Sequence, residues 1–318
     1  MSFTADTKKE LTTLSAGKKC CQLAQITGFL KYAGSVTLLA GGKVGLRVTT
    51  ENPAVARLFV KLIKDYFGSK SSLAITEPGS LRGRLYELSI TPESNSEAIL
   101  RETGILSIKE GFNVFPENIK AEIIRKRCCK KAALRGIFLA CGSVSDPAKG
   151  SGYHLELGFD SEEKAKDAVK LVNSFGLKAK IAKRRNRFIA YLKDGEQIED
   201  FLSVIGTSGQ LFKFQDVRIK KEMRNTANRQ INCDTANLEK TISAAQQQIS
   251  DIEYIMNAKT LNYLNGKLRE TAMMRLQHPE MPLSELCLLF DPPLTKSGLN
   301  NRLKKIADTA DKLRKMGY

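Results

Sequence analysis

Polar and apolar residues from Lys18 to Val36 follow an arrangement that returns, without a gap, from Lys126 to Val144. Lys18, Cys20, Cys21, Ala24, Gly28, Gly34, Ser35 and Val36 recur identically as Lys126, Cys128, Cys129, Ala132, Gly136, Gly142, Ser143 and Val144. Chance explains this poorly. The likeness continues more weakly from Leu46–Glu51 to Leu155–Asp160 and from Lys61–Gly68 to Lys170–Gly176. Each copy predicts a helix, a hairpin and a second helix. The hairpin strands of the first copy are expected at Val36–Leu39 and Gly45–Thr49, around a Gly41-Gly42 turn signal, and Tyr153–Phe159 is the second strand of the other copy. Further strands at Leu85–Ile90 and Arg187–Leu192 precede helices at Ser94–Glu102 and Gln197–Ile205. The fold class is therefore α+β: a tandem pseudo-twofold domain of mixed helices and antiparallel sheets, with repeats at 1–110 and 111–212.

Gly28 and Gly136 sit inside the leading helices, where glycine costs about 1 kcal/mol against alanine. Close approach of the two helices across a pseudo-twofold axis would offset this. The small neighbours Ala24, Ala33, Ala132 and Ala140 suit such an approach.

After Phe214 the pattern changes. Aromatic residues thin out, and 213–234 reads as a helical linker before an all-α domain at 235–318. Leu238, Ile242, Ala245, Ile249, Ile252 and Ile255 predict a helix from Thr235 to about Met256, followed by another from about Asn262 to Gln277. From Met281 to Ile306 come a short helix, a Pro-Pro break and a longer helix capped by Thr295, the layout of a helix-turn-helix with a somewhat long turn. Leu299, Leu303, Ile306, Ala310 and Leu313 form its buried stripe. Lys296, Ser297, Asn300, Asn301, Arg302, Lys304 and Lys305 are the candidate DNA-binding residues. Asn pairs bidentately with adenine in the major groove, and Ser or Lys near a helix N-terminus meets phosphate or guanine. An ordinary helical hairpin with a wet polar face is the competing reading.

Charge sharpens the picture. The chain has 318 residues, room for two or three domains, and 51 Lys+Arg against 34 Asp+Glu give a formal charge of +17, which favours a polyanionic partner. Without a run of about 18 apolar residues, double-stranded DNA is a better partner than a membrane. The N-terminus lacks the apolar stretch of a signal peptide, so a cytoplasmic, nucleoid-associated protein is expected. Basic clusters offer phosphate contacts at Lys126, Arg127 and Lys130 and at Lys183, Arg184 and Arg185. Such runs are also commonly solvated faces.

Seven cysteines, two adjacent pairs among them and no C-x-x-C, read as reduced thiols. The four repeated cysteines would make a tetrathiolate only by converging across the pseudo-twofold. Adjacent helical residues diverge by about 100°, and packing is the commoner fate of cysteine. No metal and no cofactor is expected. His154 and His278 are isolated from any nucleophile pattern, and Asp146, beside Pro147, reads as a loop cap.

The paired helices resemble the LAGLIDADG homing-endonuclease signature, in which each helix ends in an acid followed by Gly. Ala33 before Gly34 and Cys141 before Gly142 stand where those acids belong. Neither a methyl group nor a thiol supplies the hard oxygen that Mg²⁺ chemistry needs, so no catalytic residue and no cleavage is expected. The whole chain is similar to the WhiA family of bacterial regulators. The resemblance rests on Met1-Ser-Phe-Thr, Cys20-Cys21, Gly136 to Pro147, Asn228 to Asn237, Leu268 to Ala272 and Asp291 to Gly298. It implies promoter binding and control of division, chromosome segregation or sporulation genes, with a WhiB-like iron-sulfur partner in actinobacteria. A protein-interaction scaffold on the old DNA saddle and a site-specific endonuclease are the alternatives.

Overall fold

The computed structural model describes residues 2–76, 84–150 and 152–317. They form two compact units, Met1–Lys221 and Glu222–Tyr318.

In the first unit α1 (Phe3–Thr13) precedes the first repeat, which runs α2 (Lys19–Ala33), β1 (Gly34–Leu38), β2 (Val44–Thr50), α3 (Pro53–Phe67), β3 (Ser72–Thr76), β4 (Leu85–Ile90) and α4 (Ser96–Glu102). A small hairpin, β5 (Ser107–Lys109) and β6 (Phe112–Val114), leads to the second repeat. That repeat runs α5 (Arg127–Cys141), β7 (Gly142–Val144), β8 (Leu155–Phe159), α6 (Glu162–Asn173), β9 (Lys180–Arg184), β10 (Arg187–Leu192) and α7 (Gly195–Ile205). The two antiparallel sheets have the same strand order, β1-β2-β4-β3 and β7-β8-β10-β9, as a duplication requires.

Local chemistry explains the helix ends. Asn52 caps α3 by accepting from the N–H groups of Ala54 and Val55, Pro53 opens it, and Gly68 in the left-handed region closes it. Ser161 and Asp194 cap α6 and α7 in the same manner.

The predicted strands are all present, with ends shifted by a few residues: Tyr153 and His154 precede β8 rather than belonging to it. Pattern reading misses β3, β9 and the β5–β6 hairpin. Both β3 and β9 are edge strands; β3 is exposed throughout and β9 is rich in Lys and Arg, so neither carries the one-sided alternation that marks a half-buried strand.

α2 and α5 form the spine of this unit. An added Cβ at Gly28 would collide with the Ala133 carbonyl, and one at Gly136 with Gln25 O and Phe29 N. The two backbones therefore touch where the glycines lie, and Ala24, Ala132 and Ala133 are fully or almost fully buried beside them. α1 ties itself to both ends of the unit. The Thr4 hydroxyl donates to Val144 O (2.8 Å) and accepts from Val144 N (2.9 Å). The Glu10 carboxylate accepts from Gly209 N (2.7 Å) and Gln210 N (2.9 Å). These are free N–H groups at the start of α8 (Ser208–Lys259), a place where negative charge is stabilised.

α8 has 52 residues and passes from one unit into the next. The expected linker at 213–234 and the helix expected from Thr235 are thus one element. The reason is in the chain: from Gln210 to Lys259 there is no Gly and no Pro to stop a helix.

The second unit adds α9 (Gly266–Gln277), α10 (Leu283–Leu286) and α11 (Lys296–Lys315) to the end of α8. The expected start of α9 at Asn262 falls in a short 3₁₀ turn; the helix itself begins after Asn265, whose side chain caps it. Ile252, Ile255, Leu268, Ala272, Leu286, Phe290 and the α11 stripe make its core. Buried Asp251 accepts from Arg314 (2.7 Å), joining α8 to α11. Arg275, 1% exposed, donates to the carbonyls of His278, Pro279 and Met281 and so shapes the chain entering α10.

Candidate nucleic-acid interface

α10 and α11 are joined by a turn that Leu294 N closes on Cys287 O (2.9 Å). Thr295 caps α11 by accepting from Gly298 N (3.0 Å). Leu299, Leu303, Ile306, Ala310 and Leu313 are buried, as their spacing predicts. At about 100° per residue, Ser297, Asn301 and Lys304 lie opposite that stripe, Lys305 lies beside them, and Lys296 and Asn300 occupy one shoulder. All six are exposed. Arg302 differs from the rest of the predicted set. Its guanidinium is 3.6 Å from the Glu270 carboxylate, 3.5 Å from the Thr271 hydroxyl and 5.8 Å above the Phe290 ring. It is bound to α9 and to the turn.

The outer face of α11 becomes mixed in charge along its length. Beyond Lys305 Asp308 and Asp311 alternate with Lys312 and Lys315, and Arg314 is spent on Asp311 (2.8 Å) and Asp251. Carboxylates repel phosphates, so the first three turns, which carry cations and no acids, suit a DNA groove best.

In the first unit Ala33 and Cys141 end their helices side by side in one cleft, with Tyr32, Glu156 and the Arg184–Arg187 hairpin tip around them. The Cys141 thiol donates to Ile137 O (3.4 Å), and burial pushes its pKa up to about 12. It stays a neutral thiol, unsuited to a hard cation. Glu156 is engaged by His154 (3.0 Å) and lies 3.9 Å from Arg184. Among the described residues, no group of three carboxylate, imidazole or thiol donors gathers at this cleft. Asp146 accepts from Ala148 N (3.0 Å), the loop-capping role expected of it.

Lys8 of α1 is the residue that sequence reading overlooks here. It is coupled electrostatically to Cys141 and Glu51, and burial lowers its pKa. Together with Arg187 it lines the neighbouring cleft. The cleft thus has cations from the chain itself close to the position where an endonuclease acid would hold a metal. α1 lies outside the duplicated segments, so no repeat signal could mark Lys8.

The two predicted phosphate-binding clusters do not come together. Arg184 and Arg185 stand at the cleft, with Lys183 alongside over the Phe188 ring (5.7 Å). Lys126, Arg127 and Lys130 begin α5, and Cys141 ends it; the helix has 15 residues, hence about 22 Å. Arg127 lies over the Phe175 ring (5.2 Å).

Comparison with known proteins follows the same division. Residues 19–106 match the WhiA N-terminal LAGLIDADG-like domain, 130–224 the WhiA LAGLIDADG-like domain and 227–310 the WhiA C-terminal HTH domain. The probable cell division protein WhiA of Thermoanaerobacter sp. (strain X514) is 41% identical over 315 residues, 99% of this chain and 98% of that one. The chain belongs to the WhiA family. The WhiA relative of Clostridium novyi (strain NT) is 38% identical over 100% of both chains. Among solved structures, full-length DUF199/WhiA from Thermatoga maritima aligns with a TM-score of 0.59 at 25% identity, covering 98% of this chain and 99% of that one. Tandem LAGLIDADG-like domains followed by a helical HTH domain are thus the WhiA architecture. Among the described residues, no helix is long and apolar enough to cross a membrane.

Proposed function

We propose that this WhiA-family chain is a site-specific DNA-binding regulator of division, chromosome segregation or sporulation genes, which works at the nucleoid and does not cleave DNA. The observation that carries this reading is the α11 face: Ser297, Asn300, Asn301 and Lys304 exposed over a buried stripe, with acids excluded from the first three turns. The relatives named as probable cell division proteins support the choice of target genes. The neutral Cys141 and the methyl of Ala33 support the absence of cleavage.

Sheared genomic DNA captured by the full chain in Mg²⁺, with fragments sequenced, tests both halves. Enriched promoter fragments with intact ends are the expected result. Reproducible new ends would restore the nuclease, and an unenriched pool would remove site specificity.

A second reading, a protein-binding platform, draws on Leu73 and Ile75, which are 41% and 59% exposed on the edge strand β3. Salt dependence separates the two. If Arg184, Arg185 and Arg187 grip phosphates, replacing all three by Ala in the full chain lowers the slope of log K against log[salt] by about three. An unchanged slope assigns the platform to protein.

A further inference from the structure

The end of the α2–α5 pair remote from the cleft holds a second chemical grouping. Cys20 and Cys21 are the second and third residues of α2, and Cys128 and Cys129 hold the same places in α5. The Sγ atoms of Cys20, Cys21 and Cys129 all lie within 4.8 Å of one another. Cys128 stands at the place in α5 that Cys20 holds in α2, next to Cys129 and on the exposed side of this trio. Three of the four thiols are therefore clustered, and Cys128 borders them. Divergence of adjacent residues on one helix does not prevent this, because each helix supplies one inward and one flanking sulfur and the pseudo-twofold brings the pairs face to face.

Packing alone does not account for three soft donors gathered together with a fourth beside them. Cys21 and Cys129 are buried, yet Cys128 is exposed and Cys20 half-buried, so two of the four lie where an apolar filler is not needed. The surroundings favour negative charge. Neither α2 nor α5 has a side-chain cap, so both present their N-terminal N–H groups and positive dipole ends here. Lys18, Lys19, Lys126, Arg127 and Lys130 flank the two cysteine pairs in the chain. The Lys126 cluster, remote from the cleft, has a role in this setting: it offsets thiolate charge.

We propose that Cys20, Cys21, Cys128 and Cys129 form a tetrathiolate site for a zinc-type soft cation, which clasps the N-terminal ends of the two central helices. Four Zn–S bonds of about 2.3 Å place tetrahedral sulfurs about 3.8 Å apart, so the three clustered sulfurs contract by about 1 Å at most and the exposed Cys128 side chain turns in to complete the site. As each bond forms, the thiol proton passes to solvent and no electron is transferred. The basic flanks and helix ends neutralise the resulting complex of net charge near −2.

The test uses the full chain, reduced, stripped with a chelator and titrated anaerobically with CoCl₂ and then ZnCl₂. One cobalt per chain is expected, with thiolate-to-cobalt charge-transfer bands and the strong visible bands of a tetrahedral S₄ site, all lost on adding Zn²⁺. Changes around a metal's ligands alone cost about 10- to 100-fold in affinity, so Cys128→Ser or Cys20→Ser lowers Zn²⁺ affinity by about 100-fold or more. Cys233→Ser, remote in sequence and exposed, leaves it unchanged. A folded chain without cobalt bands overturns the proposal, as does the same spectrum in the Cys20→Ser/Cys128→Ser double variant. If the serine variants fail to fold, alkylation of the unaltered chain decides: Zn²⁺ protects these four of the seven cysteines. Equal labelling with and without Zn²⁺ overturns the site.

Discussion

Replacing Gly136 by Ala lowers the stability of the first unit by about 3 kcal/mol, the upper part of the range for overpacking a tight core. In an exposed helix the same change stabilises by about 1 kcal/mol, so the sign itself is diagnostic. The new methyl meets backbone on α2, Gln25 O and Phe29 N, not the end of a movable side chain. No rotamer relieves that clash. The helices must move apart, loosening the packing of Ala24, Ala132 and Ala133 between them. In a unit of this size the loss lowers the melting temperature by about 6 to 12 °C, readable by thermal denaturation. Gly28→Ala acts alike through Ala133, and the double variant costs less than the sum because one separation relieves both clashes. Gly158 in β8, with open space where a Cβ would stand, is the control and changes little on substitution by Ala. A Gly136→Ala protein as stable as its parent would contradict helix contact as the reason for the glycine.

Replacing Asn300 and Asn301 by Ala erodes sequence preference by about 1 to 3 kcal/mol for each base no longer read, while binding to unrelated DNA is nearly unchanged. Lys304→Ala behaves in the opposite manner, weakening all sequences alike and lowering the salt slope by about one. Competition binding between a captured site and scrambled DNA, run at several salt concentrations, reads both. Equal losses on all sequences from the Asn changes would remove these residues from base readout. Arg302 serves as an internal contrast. Its partners are Glu270, Thr271 and Phe290, so its loss appears in unfolding and not in the choice of sequence.

Several elements are legible because their cause is local. The Thr295 cap and the stripe from Leu299 to Leu313 follow from a 3.6-residue period and one hydroxyl. β4 and β10 alternate enough to be found from end to end. The edge strands β3 and β9 lack a buried face, so nothing periodic announces them, and β9 reads first as a basic run. The pattern of residues divides α8 because a polar stretch follows Phe214 and an apolar helical period begins only after Thr235. The backbone responds to the absence of Gly and Pro rather than to composition.

For the candidate sites the division is similar. Ala33 and Cys141 are marked by the resemblance of the two helices to the LAGLIDADG signature, and the structure places both in one cleft. Lys8 lines the neighbouring cleft from outside the repeats, and Arg302 turns inward at a position where helical periodicity puts it on the flank of the buried stripe. What the sequence determined by itself is the duplication, the paired glycine helices, the positive charge and the amphipathic character of α11, since each is a property of the residues in the chain itself. Tertiary structure alone decided which cations share the cleft, and it brought Cys20, Cys21 and Cys129 from two distant segments together. Both depend on how two helices cross, and that is set by the close approach at Gly28 and Gly136 and by packing over the whole unit.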